Sequence, residues 1–264
     1  MLSALFSPLN PRRSDWHGQR VWLIGASSGI GAALALALLK RGARVALSAR
    51  KPEPLRTLAG TRRNALVVTM DATQQDQWAA AHATLLAAWR GVDLVIFCAA
   101  QYQPERSWEV RGTAMRGMID ANLVSVYLGL ESVLPAMIEQ GQGAVAIVAS
   151  IAGYLGLPNA SVYGPTKAAL INLAELLYLD LQPRGIAVYL INPGFVQTRL
   201  TARNTFRMPA LLTPEQAVDY ILAGFAAGRF EIDFPWRFTR PVRLVSRLPY
   251  RWRFALLRRL LPGL

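Results

Sequence analysis

The feature that most constrains this chain is its alternation of short apolar runs with helical segments. Residues 20–24, 45–47, 65–68, 94–97, 144–148 and 186–191 each read as a brief strand, and 230–232 reads as a seventh. Helical segments are expected at 29–41, 75–89, 115–138 and 161–181, with a further one opening at Thr213-Pro214-Glu215-Gln216. That opening has threonine at the N-cap and proline at the first helical position. Gly42 ends the first helix as a C-terminal cap, and Pro135 is expected to break or kink the third near its end. Strands separated by helices pair in parallel through right-handed crossovers and are buried on both faces. The expected fold is therefore α/β: a three-layer, doubly wound Rossmann-type parallel sheet with a helical C-terminal extension. A length of 264 residues suits one large domain, placed at 18–234, with an arm at 1–17 and the extension at 235–264.

Composition narrows the class. Apolar residues make up 53% and charged residues 17%, which is globular and not disordered. The single cysteine, Cys98, cannot form an internal disulfide and reads as a small buried hydrophobe, so a reducing, cytoplasmic setting is expected. No apolar run is expected to reach the roughly 20 residues of a membrane span. The apolar patch of Leu2, Ala4, Leu5 and Phe6 comes before the prolines and arginines, the wrong order for a signal peptide. No metal site is expected.

The chemistry begins directly after the first strand, at Gly25-Ala26-Ser27-Ser28-Gly29-Ile30-Gly31. Glycines at this G-x3-G-x-G spacing let the backbone turn tightly and let a pyrophosphate approach N–H groups at a helix N-terminus. The second strand ends in Ser48-Ala49-Arg50-Lys51, where an NAD-binding site would offer a carboxylate to the ribose. Arg50 suits a 2′-phosphate, so NADP(H) is preferred and NAD(H) is allowed; the plainer alternative is a solvated loop arginine. Asp71, after the third strand, is placed either to accept from the adenine amino group or to cap the helix starting near Thr73.

Further on, Ser150 is followed after twelve residues by Tyr163, and after three more by Lys167. Tyrosine and lysine four apart share one helix face. An ammonium beside a phenol favours the phenolate, so the tyrosine pKa is expected to fall towards the working pH and allow proton exchange. A serine at the end of the adjacent strand can hold a substrate oxygen.

These residues together resemble the short-chain dehydrogenase/reductase family, over about residues 18–232. The resemblance implies a phosphate loop at Gly25, Ser27, Ser28, Gly29, Ile30 and Gly31, with Arg50, Asp71 and Ala99 around the adenosine. It implies a catalytic tetrad of Asn122, Ser150, Tyr163 and Lys167, Asn122 holding a water that relays protons to Lys167. It further implies that the segment from Asn192 to Thr198 wraps the nicotinamide, with contacts from Pro193, Gly194, Val196, Thr198, Tyr163 and Lys167. The implied reaction interconverts a ketone or aldehyde with an alcohol, usually in a homodimer or homotetramer. Ile24 replaces the family's usual threonine, and Phe97-Cys98-Ala99-Ala100 replaces Asn-Asn-Ala-Gly. Those changes bear on sheet hydrogen bonding and cofactor affinity and leave the tetrad intact. The altered segment also motivates an alternative: an idle family member that binds NADP(H) as a structural or sensing ligand.

Substrate-facing segments are expected at 101–111, 154–161 and 199–212. They carry Tyr102, Trp108, Tyr154, Leu155, Leu157, Phe206 and Met208, an inventory suited to a hydrophobic substrate or to core and interface packing. From Arg229 to the end, nine arginines face only Glu231 and Asp233, a net +7 of the chain's +13. In the extension, arginines alternate with Trp236, Phe238, Leu244, Tyr250, Trp252, Phe254, Leu260 and Leu261, and Pro241 and Pro249 are expected to divide it into two brief helices. This composition suits an anionic membrane surface. The alternative is an extension that covers a dimer face or the active-site mouth. Nucleic acid is disfavoured, since no recognition motif accompanies the charge.

Overall fold

The computed structural model describes residues 7–260. Seven parallel strands form one sheet in the order β3-β2-β1-β4-β5-β6-β7. They are β1 (Arg20–Ile24), β2 (Arg44–Ser48), β3 (Ala65–Val67), β4 (Leu94–Phe97), β5 (Gly143–Val148), β6 (Ile186–Pro193) and β7 (Glu231–Phe234). Every position of β4 and β6 is buried, as expected of strands covered on both faces. Helices α1 (Gly29–Lys40), α2 (Pro52–Ala59) and α7 (Pro214–Ala226) cover one face. Helices α3 (Gln75–Trp89), α5 (Ser125–Gln140) and α6 (Tyr163–Leu181) cover the other. The chain runs outward from β1 to β3 and then crosses back to β4. This reversal opens a crevice at the carboxyl ends of β1 and β4, where ligands of doubly wound sheets bind.

Several expectations need correction. Helix α2 was not anticipated, although Pro52 sits at its first position, where a missing N–H costs nothing. The long third helix is α4 (Gly112–Ile119) running through a π-turn at Asp120–Val124 into α5. Pro135 lies inside α5 without ending it; the helix stops at Gly141, which takes the left-handed conformation at φ 63°. The whole stretch Gly112–Gln140 is long and apolar enough by composition to cross a membrane, contrary to the expectation that none would be. Here Val126, Leu130, Val133 and Met137 are instead buried in the core shared with the sheet.

The altered segment after β4 does not disturb the sheet. Phe97 pairs with both Ile24 and Ile147 and is buried. Its ring lies 6.0 Å from that of Trp78 and fills the space left by Gly129 on α5, where a Cβ would stand 2.3 Å from Phe97 Cε1. An apolar side chain stands where the resemblance implies asparagine, and Gly129 on the helix above leaves room for it.

The described part of the arm lies on the domain. Asn10 is buried and binds the Val188 backbone from both sides, donating to its carbonyl at 2.7 Å and accepting from its N–H at 3.1 Å. Trp16 packs edge-on against Phe225 of α7, with centroids 5.5 Å apart. The apolar patch of Leu2, Ala4, Leu5 and Phe6 lies outside the described residues, as does Leu261.

The extension forms two helices, α8 (Trp236–Ser246) and α9 (Tyr250–Leu260). Pro249 separates them, whereas Pro241 lies within α8. The two behave differently. Thr239 of α8 is fully buried and donates to Asp233; Arg243 pairs with Glu231; Phe238 packs against Phe195 with centroids 5.7 Å apart. Helix α9 buries no residue.

Candidate active site

A cleft of about 620 Å³ opens at the carboxyl ends of the central strands. The sequence-derived residues Gly25, Ser27, Ser28, Gly29, Ile30, Gly31, Arg50, Asp71, Ala99, Ser150, Tyr163, Lys167, Pro193, Gly194, Val196 and Thr198 all line it. They come from β1, β2, β4, β5, β6, α6 and the turns that follow, so the chain's reversal gathers them from across 170 residues.

The glycine turn is shaped by close approaches. Gly25 has φ +92°, and a Cβ there would stand 2.5 Å from the Ala99 nitrogen; one on Gly31 would stand 2.2 Å from the Gly25 carbonyl oxygen. A side chain on Gly25 would push the turn off the segment after β4, and one on Gly31 would push α1 off the turn. Ser28 makes no side-chain capping bond, and the first turn of α1 carries no acidic residue. Its N–H groups therefore face the cleft with a favourable dipole for a phosphate. The residues present fit a dinucleotide pyrophosphate at this end. Asp71 also lines the cleft, but its Oδ1 is engaged by Thr73, from N–H at 3.0 Å and the hydroxyl at 2.9 Å. It organises the turn before α3, which starts at Gln75, beyond the expected Thr73.

Ser150 ends the strand-to-helix turn after β5, and its hydroxyl accepts from Ala152 N–H at 3.1 Å. Tyr163 opens α6, and Lys167 lies one turn further on, with Nζ 5.5 Å from the Tyr163 ring centroid. Lys167 is buried and donates to the Val148 carbonyl at 2.9 Å. Burial pushes its pKa from 10.5 down to about 8. Burial pushes the Tyr163 phenol up to about 12, a hydrogen bond with Ser150 opposing the shift. The expectation of a depressed tyrosine pKa is thus reversed for the chain's own groups. Desolvation outweighs the hydrogen bond, and Lys167 is turned towards a backbone carbonyl.

Asn122 sits in the π-turn, buried, and does not line the cleft. Its Oδ1 accepts from Gln101 N–H at 2.6 Å, and its Nδ2 donates to the Gln101 carbonyl at 2.9 Å and to Thr166 Oγ1 at 3.1 Å. Thr166 in turn donates to the Tyr163 carbonyl at 2.7 Å. Asn122 therefore clamps the connection after β4 to the first turn of α6.

None of the seven expected substrate-facing side chains lines the cleft. Leu155 is core, and Trp108 is 76% exposed. Tyr154 donates to Glu231 and lies under Arg243 of α8, so it docks the extension. Tyr102 stands beside Tyr163, ring centroids 5.0 Å apart at 68°. Lys51, Pro54, Thr73, Cys98, Gln101, Arg199, Leu200 and Thr201 also line the cleft; adjacency to residues already singled out was the only sequence signal for most of them. Cys98 is half-buried on the cleft wall, where desolvation pushes its thiol up to about 11 and keeps it protonated at neutral pH.

The family model for short chain dehydrogenases matches residues 19–208. An uncharacterised oxidoreductase of Myxococcus xanthus is 36% identical over 85% of this chain and 90% of its own length. One from Staphylococcus haemolyticus is 32% identical over 79% and 91%. Among solved structures, a short-chain dehydrogenase from Sphingobium yanoikuyae in complex with NADPH superposes with a TM-score of 0.76 at 26% identity, covering 88% of this chain and 97% of that one. One from Burkholderia phymatum in complex with NAD gives 0.80 at 23% identity, over 87% and 93%. With its Ser150, Tyr163 and Lys167 in one cleft and its relatives aligned along most of its length, the chain belongs to the short-chain dehydrogenase/reductase family of NAD(P)-dependent oxidoreductases.

Proposed function

We propose that the protein interconverts a ketone or aldehyde with the corresponding alcohol, using NADP(H) in preference to NAD(H). The observation that carries this reading is Ser150, Tyr163 and Lys167 meeting in the cleft that begins at the glycine turn. Arg50, also on the cleft wall, supports the phosphate preference. The nicotinamide supplies or accepts the hydride when bound and, when oxidised, adds a positive charge. Ser150 orients the substrate oxygen. A phenol at about 12 is protonated at neutral pH, the state needed to give a proton to a carbonyl oxygen. Lys167, an ammonium at neutral pH, returns protons through water, while Asn122 and Thr166 hold the turn that carries both residues. Tyr163→Phe is expected to abolish turnover of carbonyls by NADPH while NADPH still binds. Undiminished turnover sinks the assignment. Tight NADPH binding without turnover by the wild type on any carbonyl favours the idle-scaffold alternative.

We also propose peripheral attachment to an anionic membrane surface through the extension. Residues 236–260 contain eight arginines and no acidic residue. Helix α9 leaves Tyr250, Trp252, Phe254 and Leu260 more than half exposed, a combination suited to the headgroup layer. Because α8 is built into the domain, the test removes α9 alone. A chain ending at Ser246 should lose binding to phosphatidylserine vesicles that the full chain retains; equal binding by both defeats the idea. Self-association is proposed through α5 and α6, where Tyr127, Leu176 and Leu179 are more than half exposed. Light scattering should then report a dimer or tetramer.

A further inference from the structure

A second tyrosine, absent from the expected tetrad, packs against the reacting one. Tyr102 follows the cleft-lining Gln101 by one position and puts its ring edge against Tyr163, centroids 5.0 Å apart at an interplanar angle of 68°. Its hydroxyl lies 3.0 Å from Asn204 Oδ1 and 3.2 Å from the Asn159 carbonyl. Its own carbonyl accepts from Arg203 Nη1 at 2.9 Å. Tyr102 therefore holds three things together: the catalytic ring, the turn before α6 and the segment after β6.

The last of these needs holding. Between Ala202 and Ala210 only Asn204 and Met208 escape full exposure, and their side chains meet each other, Nδ2 to Sδ at 3.4 Å. Phe206 reaches the body of the protein through Phe195, centroids 5.7 Å apart. Asn204 and Arg203 reach it through Tyr102. Burial raises the Tyr102 pKa, so its hydroxyl keeps the proton it donates. A phenol has one such proton, and the two acceptors it faces share it. Both of its lone pairs stay free of these contacts.

We propose that Tyr102 is a positioning residue: its ring edge braces the ring of Tyr163 from behind the cleft, and its hydroxyl latches the 201–208 segment to the turn before α6. The brace acts on the reaction read above and rests on that reading; the latch does not.

The test uses the full-length protein as Tyr102→Phe and Tyr102→Ala. The first keeps the ring and removes the hydroxyl; the second removes both. Limited digestion with trypsin reads the latch without any need for activity, since Arg203 and Arg207 lie in the exposed segment. Losing one ordinary hydrogen bond should raise cleavage there in Tyr102→Phe about five-fold, equivalent to roughly 1 kcal/mol. Cleavage at the wild-type rate overturns the latch. In turnover, Tyr102→Phe should raise KM several-fold with kcat little changed. Tyr102→Ala, which also frees the Tyr163 ring, should lower kcat about ten-fold further. NADPH affinity should stay at the wild-type value in both, because Tyr102 does not line the cofactor cleft. A folded Tyr102→Ala with the kcat of Tyr102→Phe overturns the brace. If the wild type reduces no carbonyl, the reaction assignment fails and the trypsin result still decides the latch.

Discussion

Replacing Lys167 by methionine is expected to destroy activity and at the same time stabilise the protein at neutral pH. Lys167 is one of the largest fully buried side chains, and burial lowers its pKa from 10.5 to about 8. At pH 7 the folded protein thus holds a buried ammonium, whose cost relative to solvent is about 3 kcal/mol at roughly 1.4 kcal/mol for each pH unit. Methionine removes that cost and keeps most of the volume. It also gives up the 2.9 Å bond to the Val148 carbonyl, worth about 1 kcal/mol. The net gain is about 2 kcal/mol, or about 4 °C in Tm for a chain of this size. The sign follows from linkage. Between pH 8 and 10.5 the unfolded chain binds more protons at this site than the folded one, so wild-type stability from this group rises with pH across that window. The advantage of methionine should therefore be full at pH 7 and gone by about pH 10.5. Thermal unfolding of both proteins without added nucleotide, at pH 7 and pH 10.5, measures it. A Lys167→Met protein less stable than wild type at pH 7, or a difference independent of pH, would refute the reasoning.

Other outcomes follow from the same geometry. Arg50→Ala should weaken NADPH binding about ten-fold and leave NADH binding unchanged, read by fluorescence titration, as expected for one charge-assisted phosphate contact at an exposed position. Gly129→Ala should cost about 1–3 kcal/mol in urea unfolding, because its Cβ would sit 2.3 Å from Phe97 and 2.7 Å from Trp78. Adding Phe97→Leu to that variant should recover part of the loss, since the shorter side chain frees the space.

The sequence by itself determined the sheet and the reaction class. Strand and helix signals are local: apolar runs, the Thr213-Pro214 start and the Gly42 stop all act within a turn or two of their own positions. The glycine turn and the Tyr163–Lys167 pair are equally local, four to seven residues long, so their shape follows from the chain itself. What lies between elements was not legible. Asn122 bonds Gln101 across 21 residues and Thr166 across 44, and Tyr102 meets Asn204 across 102. No periodicity reports such pairs. Phe97 read alone looks like a missing asparagine; only its packing against Trp78 and Gly129 reveals a filled core. The extension divides in the same way. Both its helices carry arginine and aromatic residues, and composition cannot separate them. Tertiary structure does, because Glu231 and Asp233 at the end of the sheet capture Arg243 and Thr239 of α8, while α9 makes no ion pair among the described residues and buries none of its own. The fold came from short-range patterning. The site's walls, clamps and docked helix were decided by which distant side chains the parallel crossovers brought within bonding distance.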